Sequence, residues 1–211
     1  GIMELSRAIG VIMGANVGTT ATAWILSLTG ISGDSLIMNL LKPSSFAPVL
    51  AVIGVFLLMF SKKEKRNNIG GILAGFGILM MGMEFMSDSM SGLAESEKFT
   101  SIFTKFSNPV LGILVGMVLT AVIQSSSASV GILQALALSG SVSFATAFPI
   151  ILGQNIGTCI TALISSIGTS KNAKRTAVVH LYFNVIGVLL AAALFYGGNA
   201  IFKFDFLNDS V

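Results

Sequence analysis

Charged residues divide this sequence into long apolar stretches. Residues 8–33, 43–61, 67–83, 106–170 and 176–202 contain no Asp, Glu, Lys or Arg. A helix needs about 20 mostly apolar residues to cross a bilayer, so these stretches predict membrane helices joined by short connections. The expected fold class is an all-α integral membrane protein, multi-pass in the cell membrane.

The longest uncharged block, 106–170, is interrupted at Gln124-Ser125-Ser126-Ser127, at Ser139-Gly140-Ser141-Val142-Ser143 and at Gly153-Gln154-Asn155-Ile156-Gly157-Thr158. A re-entrant helical hairpin over 108–139, with the Gln-Ser-Ser-Ser run at its tip, fits the first two interruptions. Each arm of about 14 residues rises about 21 Å, too short to span and right for a dip to the midplane. One crossing over 143–170 follows, expected to unwind at 153–158.

Charge then sets direction. Lys62, Lys63, Lys65 and Arg66 form one basic loop, and Lys171, Lys174 and Arg175 form a second. The positive-inside rule puts both in the cytoplasm. Glu84, Asp88, Glu95 and Glu97, with only Lys98 and Lys105 among them, mark the opposite side. Composition adds exclusions: charged residues are 10% and hydrophobic residues 54% of 211, with 23 Gly, and mean hydropathy is +0.89. Such a chain is not a soluble domain. One Cys excludes a disulfide framework, and no basic face for nucleic acid is present. The first residue is Gly1 and an apolar pattern is under way within a few residues of it, so a fragment or processed chain is expected; no leader pattern opens it.

The sequence repeats itself. Ile12-Met13-Gly14-Ala15-Asn16-Val17-Gly18-Thr19-Thr20-Ala21-Thr22-Ala23 aligns with Ile151-Leu152-Gly153-Gln154-Asn155-Ile156-Gly157-Thr158-Cys159-Ile160-Thr161-Ala162, and Val52-Ile53-Gly54-Val55 with Val185-Ile186-Gly187-Val188. The Gly54 helix runs toward one basic loop and the Gly187 helix leaves the other, so the copies are inverted. Inverted repeats with paired Gly-interrupted apolar segments point to a secondary transporter with its site between the repeats. The expected division is a remainder of the first repeat at 1–61, a basic cytoplasmic loop at 62–68, the second repeat at 69–200 and a tail at 201–211. The first copy lacks the hairpin that precedes the second.

Two motifs could carry chemistry. An unwound Gly-x-Asn-x-Gly-Thr offers carbonyls and Asn and Thr oxygens to a hard cation, while half-helix N-termini with hydroxyls suit an anion. The same glycines also serve close helix packing. The Gln124-Ser125-Ser126-Ser127 run can cap the second hairpin arm and present N–H groups to a phosphate or carboxylate, or form a self-satisfied turn.

With these motifs in place, the sequence resembles the sodium/phosphate cotransporter family, the type II cotransporters and their bacterial relatives. The resemblance covers almost the whole chain, and the second repeat is nearly complete from about 70 to 195. It implies sodium-coupled transport of inorganic phosphate, with no cofactor beyond sodium as coupling ion. Carried over residue by residue, it nominates Gln124, Ser125, Ser126, Ser127, Asn155 and Thr158 for phosphate, and Asn16, Thr19, Gln124, Asn155 and Thr158 for sodium. The implied partners are phosphate, sodium and the lipid bilayer; no nucleic acid is expected, and self-association stays open. The same architecture for another small anion, and a non-transporting scaffold or regulatory subunit, are the alternatives. An enzyme is not expected, because no nucleophile–base set, nucleotide loop or metal cluster is present.

Of the remaining polar residues, His180 has Asn184 one turn on as a candidate partner. Glu84 is expected to reach water at the outer end, and Cys159, in the place of Thr20, is a small packing residue.

Overall fold

A computed structural model of the chain describes residues 5–27, 43–94, 108–140 and 142–208. Its extended elements are all helices: α1 (Leu5–Ser27), α2 (Pro43–Phe60), α3 (Glu64–Ala94), α4 (Pro109–Ile123), α5 (Ser126–Leu138), α6 (Phe144–Gly157), α7 (Cys159–Ser165) and α8 (Lys171–Phe202), followed by a 3-10 turn at Asp205–Asn208. The expected all-α fold is the observed one.

Among the described residues, four stretches are long and apolar enough to cross a membrane: Leu5–Ser27, Glu64–Met86, Phe144–Ser165 and Lys171–Phe202. Large apolar side chains, Trp24, Val122, Ile167 and Leu194 among them, point outward. The closest helix contacts are instead made by small residues, which is how helices pack where lipid is as apolar as the core.

Two helix pairs show this closely. In α2 and α3, a Cβ on Gly54 would strike the Ala74 backbone nitrogen, and one on Gly77 would come within 2.6 Å of the Ala47 carbonyl oxygen. In α4 and α6 the contact is reciprocal. A Cβ on Gly116 would strike the Ile150 carbonyl oxygen, and one on Gly153 would strike that of Ile113. Gly157 lies against α4 as well, with the Met117 carbonyl oxygen 2.6 Å from its missing Cβ. Helix α5 lies against α1, α3, α4 and α6, and α8 against α1, α6 and α7. Side-chain packing fills in around this frame. Leu133, Leu136, Val142, Ala147 and Ile150 form one buried cluster, and Leu26, Ala47, Met80 and Met83 another.

Three expectations are corrected here. The duplicated segments were expected to unwind, yet 14–19 lies inside continuous α1, and α6 runs through 153–157 to a break at Thr158 alone. The backbone at Thr158 keeps helical dihedrals, φ −59° and ψ −25°. The physical reason is that these glycines admit a neighbouring backbone, as Gly153 and Gly157 do for α4, and do not reverse the chain. Second, the loop expected at 62–68 is mostly the first turn of α3, which starts at Glu64, an acidic residue suited to a helix N-terminus. Third, α3 continues past Glu84 and Asp88 to Ala94. Its 31 residues rise about 46 Å at 1.5 Å each, more than the roughly 30 Å hydrocarbon core, so the acidic end projects beyond the apolar part. Glu95, Glu97, Lys98 and Lys105 lie outside the described residues.

Candidate functional site

The site begins with the α4–α5 hairpin. Asn108 caps α4, its side-chain oxygen accepting from the N–H groups of Val110 at 3.0 Å and Leu111 at 3.3 Å, with Pro109 at the first helical position. At the other end Gln124 adopts the left-handed conformation, φ 57° and ψ 20°, and its N–H donates to the Thr120 carbonyl. Ser125 is extended and caps α5, its Oγ accepting from the Ala128 N–H at 3.3 Å. Two residues thus reverse the chain. A non-glycine residue held at positive φ costs of order 1–3 kcal/mol, and the surrounding contacts hold this one in place. Thr120 Oγ1 donates to Ser129 Oγ at 2.8 Å, tying the two arms together in a buried position.

Two amides fix the hairpin to its neighbours. Gln134 Nε2 donates to the Ala23 carbonyl of α1 at 3.2 Å, and Gln154 Nε2 of α6 donates to the Ser129 carbonyl at 2.9 Å. Between α1, α5 and α6 these contacts leave a cavity of about 230 Å³. At a liquid share of about 30 Å³ per water it has room for roughly seven waters, enough for a tetrahedral oxyanion beside a partly dehydrated cation.

Five of the eight residues nominated from the sequence line this cavity: Asn16 and Thr19 from α1, Ser126 from α5, Asn155 from α6, and Thr158. Gln124, Ser125 and Ser127 do not. Gln124 and Ser125 are exposed and are used as the two caps of the hairpin turn. On α5, Ser126 and Val130 share the cavity-facing side as an i, i+4 pair, and Ser127 is rotated about 100° from Ser126. Thr20 and Gln154 also line the cavity and were not singled out from the sequence. The one signal for Gln154 was its place opposite Ala15 in the duplicated segment, a long amide beside glycines.

Among the described residues the lining is neutral, with no Asp, Glu, Lys, Arg or His. Its hydroxyls are directed. Thr19 Oγ1 donates to the Ala15 carbonyl at 3.1 Å, Thr20 Oγ1 to the Asn16 carbonyl at 3.2 Å and Thr158 Oγ1 to the Asn155 carbonyl at 2.6 Å. Each threonine spends its hydrogen on its own helix and keeps lone pairs to offer. Ser126 Oγ makes no hydrogen bond among the described residues, so its hydrogen is available. Two buried amide atoms of the lining, Asn16 Nδ2 and Gln154 Oε1, also have no partner among the described residues. The cavity therefore presents both unused donors and unused acceptors, which suits an anion and a cation together. No cluster of metal-ligating acids, His and Cys occurs among the described residues.

His180 and Asn184 pair differently from the expectation. Asn184 Nδ2 donates to the His180 backbone carbonyl at 3.2 Å and to Cys159 Sγ at 3.1 Å. The buried amide thus locks α7 to α8, and Cys159, fully buried, is part of that packing.

With the geometry established, three kinds of known protein are similar to this chain. The family model described as Na+/Pi-cotransporter matches residues 1–88 and 79–208. The uncharacterized protein YqeW of Bacillus subtilis is 32% identical over 191 residues, 90% of this chain and 58% of that protein. The putative inorganic phosphate export protein YjbB of Escherichia coli is 24% identical over 190 residues, 90% of this chain and 33% of that protein. The human sodium-dependent phosphate transport protein 2B is 33% identical over 153 residues, 68% of this chain and 21% of that protein. The chain thus spans between a third and three-fifths of the length of the first two relatives. No solved structure matches it.

Proposed function

The chain belongs to the Na+/Pi-cotransporter family, a family of membrane transporters and not of enzymes, and from that footing we propose that it forms the sodium- and phosphate-binding half of a coupled phosphate transporter. The observation that carries the reading is convergence. Asn16 and Thr19 from one copy of the duplicated segment, Asn155 and Thr158 from the other, and Ser126 from the hairpin line one neutral cavity.

In this reading the hairpin is re-entrant, the two copies are inverted, and the cavity lies at the midplane between them. Ser126 and Asn16 Nδ2 donate to phosphate oxygens. Asn155 offers its amide to either ion, and the threonine oxygens coordinate sodium. Coupling then needs no proton relay, since a cation held beside the anion lowers the cost of placing either charge at membrane depth. Gln124 and Ser125 act by shaping the hairpin tip. The division of the chain into repeats at 1–61 and 69–200 belongs to the same proposal.

Radiolabelled phosphate uptake by the full-length protein in liposomes tests it. Uptake driven by a sodium gradient, absent with potassium, and unaffected by excess sulfate or a carboxylate is the expected result. Equal uptake in sodium and potassium would end the coupling claim. Equal competition by a carboxylate would favour another anion, and a silent protein would favour a scaffold.

A further inference from the structure

A second cavity, of about 410 Å³, opens where the end of α8 meets the start of α6. Ala145, Asn199, Lys203, Phe204, Asp205 and Leu207 line it, and none of them belongs to the hairpin or to the duplicated segments. Its volume falls in the roughly 300–1,000 Å³ range of small-molecule pockets. The cap of α8 fixes its walls. Lys203 ends the helix in the left-handed conformation, φ 49° and ψ 75°, and its N–H donates to the Asn199 carbonyl at 2.9 Å. The Phe204 N–H donates to Asn199 Oδ1, also at 2.9 Å. The tail is thereby turned back onto the bundle, where Phe206 meets Phe144 edge to face at 5.3 Å and Phe204 lies 5.9 Å from Phe195. Lys203 and Asp205 consequently share one cavity, and neither makes an ion pair among the described residues.

Depth in the membrane decides what this pair of charges meets. The uncharged part of α8, residues 176–202, rises about 40 Å at 1.5 Å each. That exceeds the roughly 30 Å hydrocarbon core and approaches the thickness of a bilayer with its headgroups, about 40–45 Å. With Lys171 in one headgroup layer, Lys203 and Asp205 lie in the other. Ile201 and Phe202, 75% and 73% exposed beside them, offer apolar surface to the acyl chains of a lipid whose headgroup enters the cavity. An anion alone would be drawn to Lys203 and repelled by Asp205; a zwitterion satisfies both. We propose that this cavity binds the headgroup of phosphatidylethanolamine, with the phosphodiester on Lys203 and the primary ammonium on the Asp205 carboxylate. Such an ammonium brings three N–H donors to a carboxylate, which a trimethylammonium headgroup lacks. Asn199, its Oδ1 spent on the Phe204 N–H, has its Nδ2 donor left for the phosphodiester. The proposal is independent of the transport reading above and needs only that α8 crosses the membrane.

The test is native mass spectrometry of the full-length protein, delipidated in detergent and titrated in turn with dioleoyl phosphatidylethanolamine, phosphatidylcholine and phosphatidylglycerol. The wild type should hold its first phosphatidylethanolamine about tenfold more tightly than its first molecule of either other lipid, the scale of one bond to a charged group. Lys203→Gln should weaken that binding by about tenfold. Asp205→Asn should bring phosphatidylethanolamine and phosphatidylglycerol within about twofold of each other. Both side chains are exposed, so the melting temperature without lipid should not move. Equal binding of the three lipids by the wild type, or an Asp205→Asn variant that keeps the preference, overturns the assignment. Displacement of phosphatidylethanolamine by inorganic phosphate, lost in Lys203→Gln, would overturn it in favour of free phosphate. If Lys203→Gln melts early without lipid, the preference measured for Asp205→Asn decides alone.

Discussion

Asn16 and Asn155, the same position in two copies of one duplicated segment, line a single cavity from two different helices. Neither helix unwinds to bring them there. Their convergence comes instead from α5, which lies against both α1 and α6 and is pinned to each by a glutamine bond to a backbone carbonyl.

This relationship gives a first prediction. If both amides contact the bound ions, Asn16→Ala and Asn155→Ala should each weaken phosphate binding in sodium by roughly 10- to 150-fold, corresponding to about 1.5–3 kcal/mol for a bond to a charged group. The double variant should fall short of the sum, because both act on one ion pair. Isothermal titration of phosphate in sodium buffer measures all three. Full additivity would mean that the two residues serve separate sites.

A second prediction separates the members of the serine run by their geometry. Ser126 lines the cavity with its hydroxyl unengaged, whereas Ser125 is spent as the α5 cap and Ser127 is turned away. Ser126→Ala should lower phosphate affinity with little change in thermal stability. Ser125→Ala should do the opposite, costing about 1 kcal/mol as the loss of a cap does, and Ser127→Ala should change neither greatly. Ser139, whose Oγ donates to the Leu136 carbonyl at the far end of α5, is the control. A thermal-shift series with and without phosphate reads both effects. Phosphate-dependent stabilisation left intact in Ser126→Ala would rule out its role.

The serine run also shows what the sequence made legible. The hairpin ends read from the interruptions, 108 and 139, are the residues that cap α4 and α5, because caps and glycines act locally and leave a local signature. What a Gly-x-Asn-x-Gly segment does could not be read in the same way. Glycine serves unwinding and close approach equally well, and only the neighbouring helix decides. Gly153 and Gly157 have α4 against them, and the backbone stays helical. Gln154 was hidden for a related reason. Its importance lies in a bond to Ser129 made across helices, and no spacing along the chain announces such a contact.

A third prediction tests that packing. Gly116→Val and Gly153→Val each place carbon where a carbonyl oxygen of the opposite helix sits, so α4 and α6 must separate. Overpacking of this kind costs about 1–3 kcal/mol or more, and it should lower the melting temperature in detergent for each variant alone. The double variant should lose less than the sum, since one separation relieves both clashes. Gly71→Val, at an α3 position with open space around it, should be close to silent. If Gly116→Val melts like the wild type, the α4–α6 contact is looser than described.

The last prediction concerns direction in the membrane. The Gly54 helix, α2, ends just before Lys62 and Lys63, and the Gly187 helix, α8, begins at Lys171. If both basic segments face the cytoplasm, as the positive-inside rule requires, the two helices cross in opposite senses and the repeats are inverted. Cysteines introduced at Lys63 and Lys174 in turn can be probed with an impermeant thiol reagent. Within this chain the background is small: Cys159 is the single cysteine of the 211 residues, and it is fully buried with its sulfur accepting a hydrogen bond from Asn184. Both positions are exposed, Lys63 in the bend before α3 and Lys174 near the start of α8, so lack of reaction reports sidedness and not burial. In intact cells both should be protected, and both should react once the membrane is opened. Reaction of one and not the other in intact cells would place the basic segments on opposite faces and make the repeats parallel, and the site between inverted copies would lose its foundation.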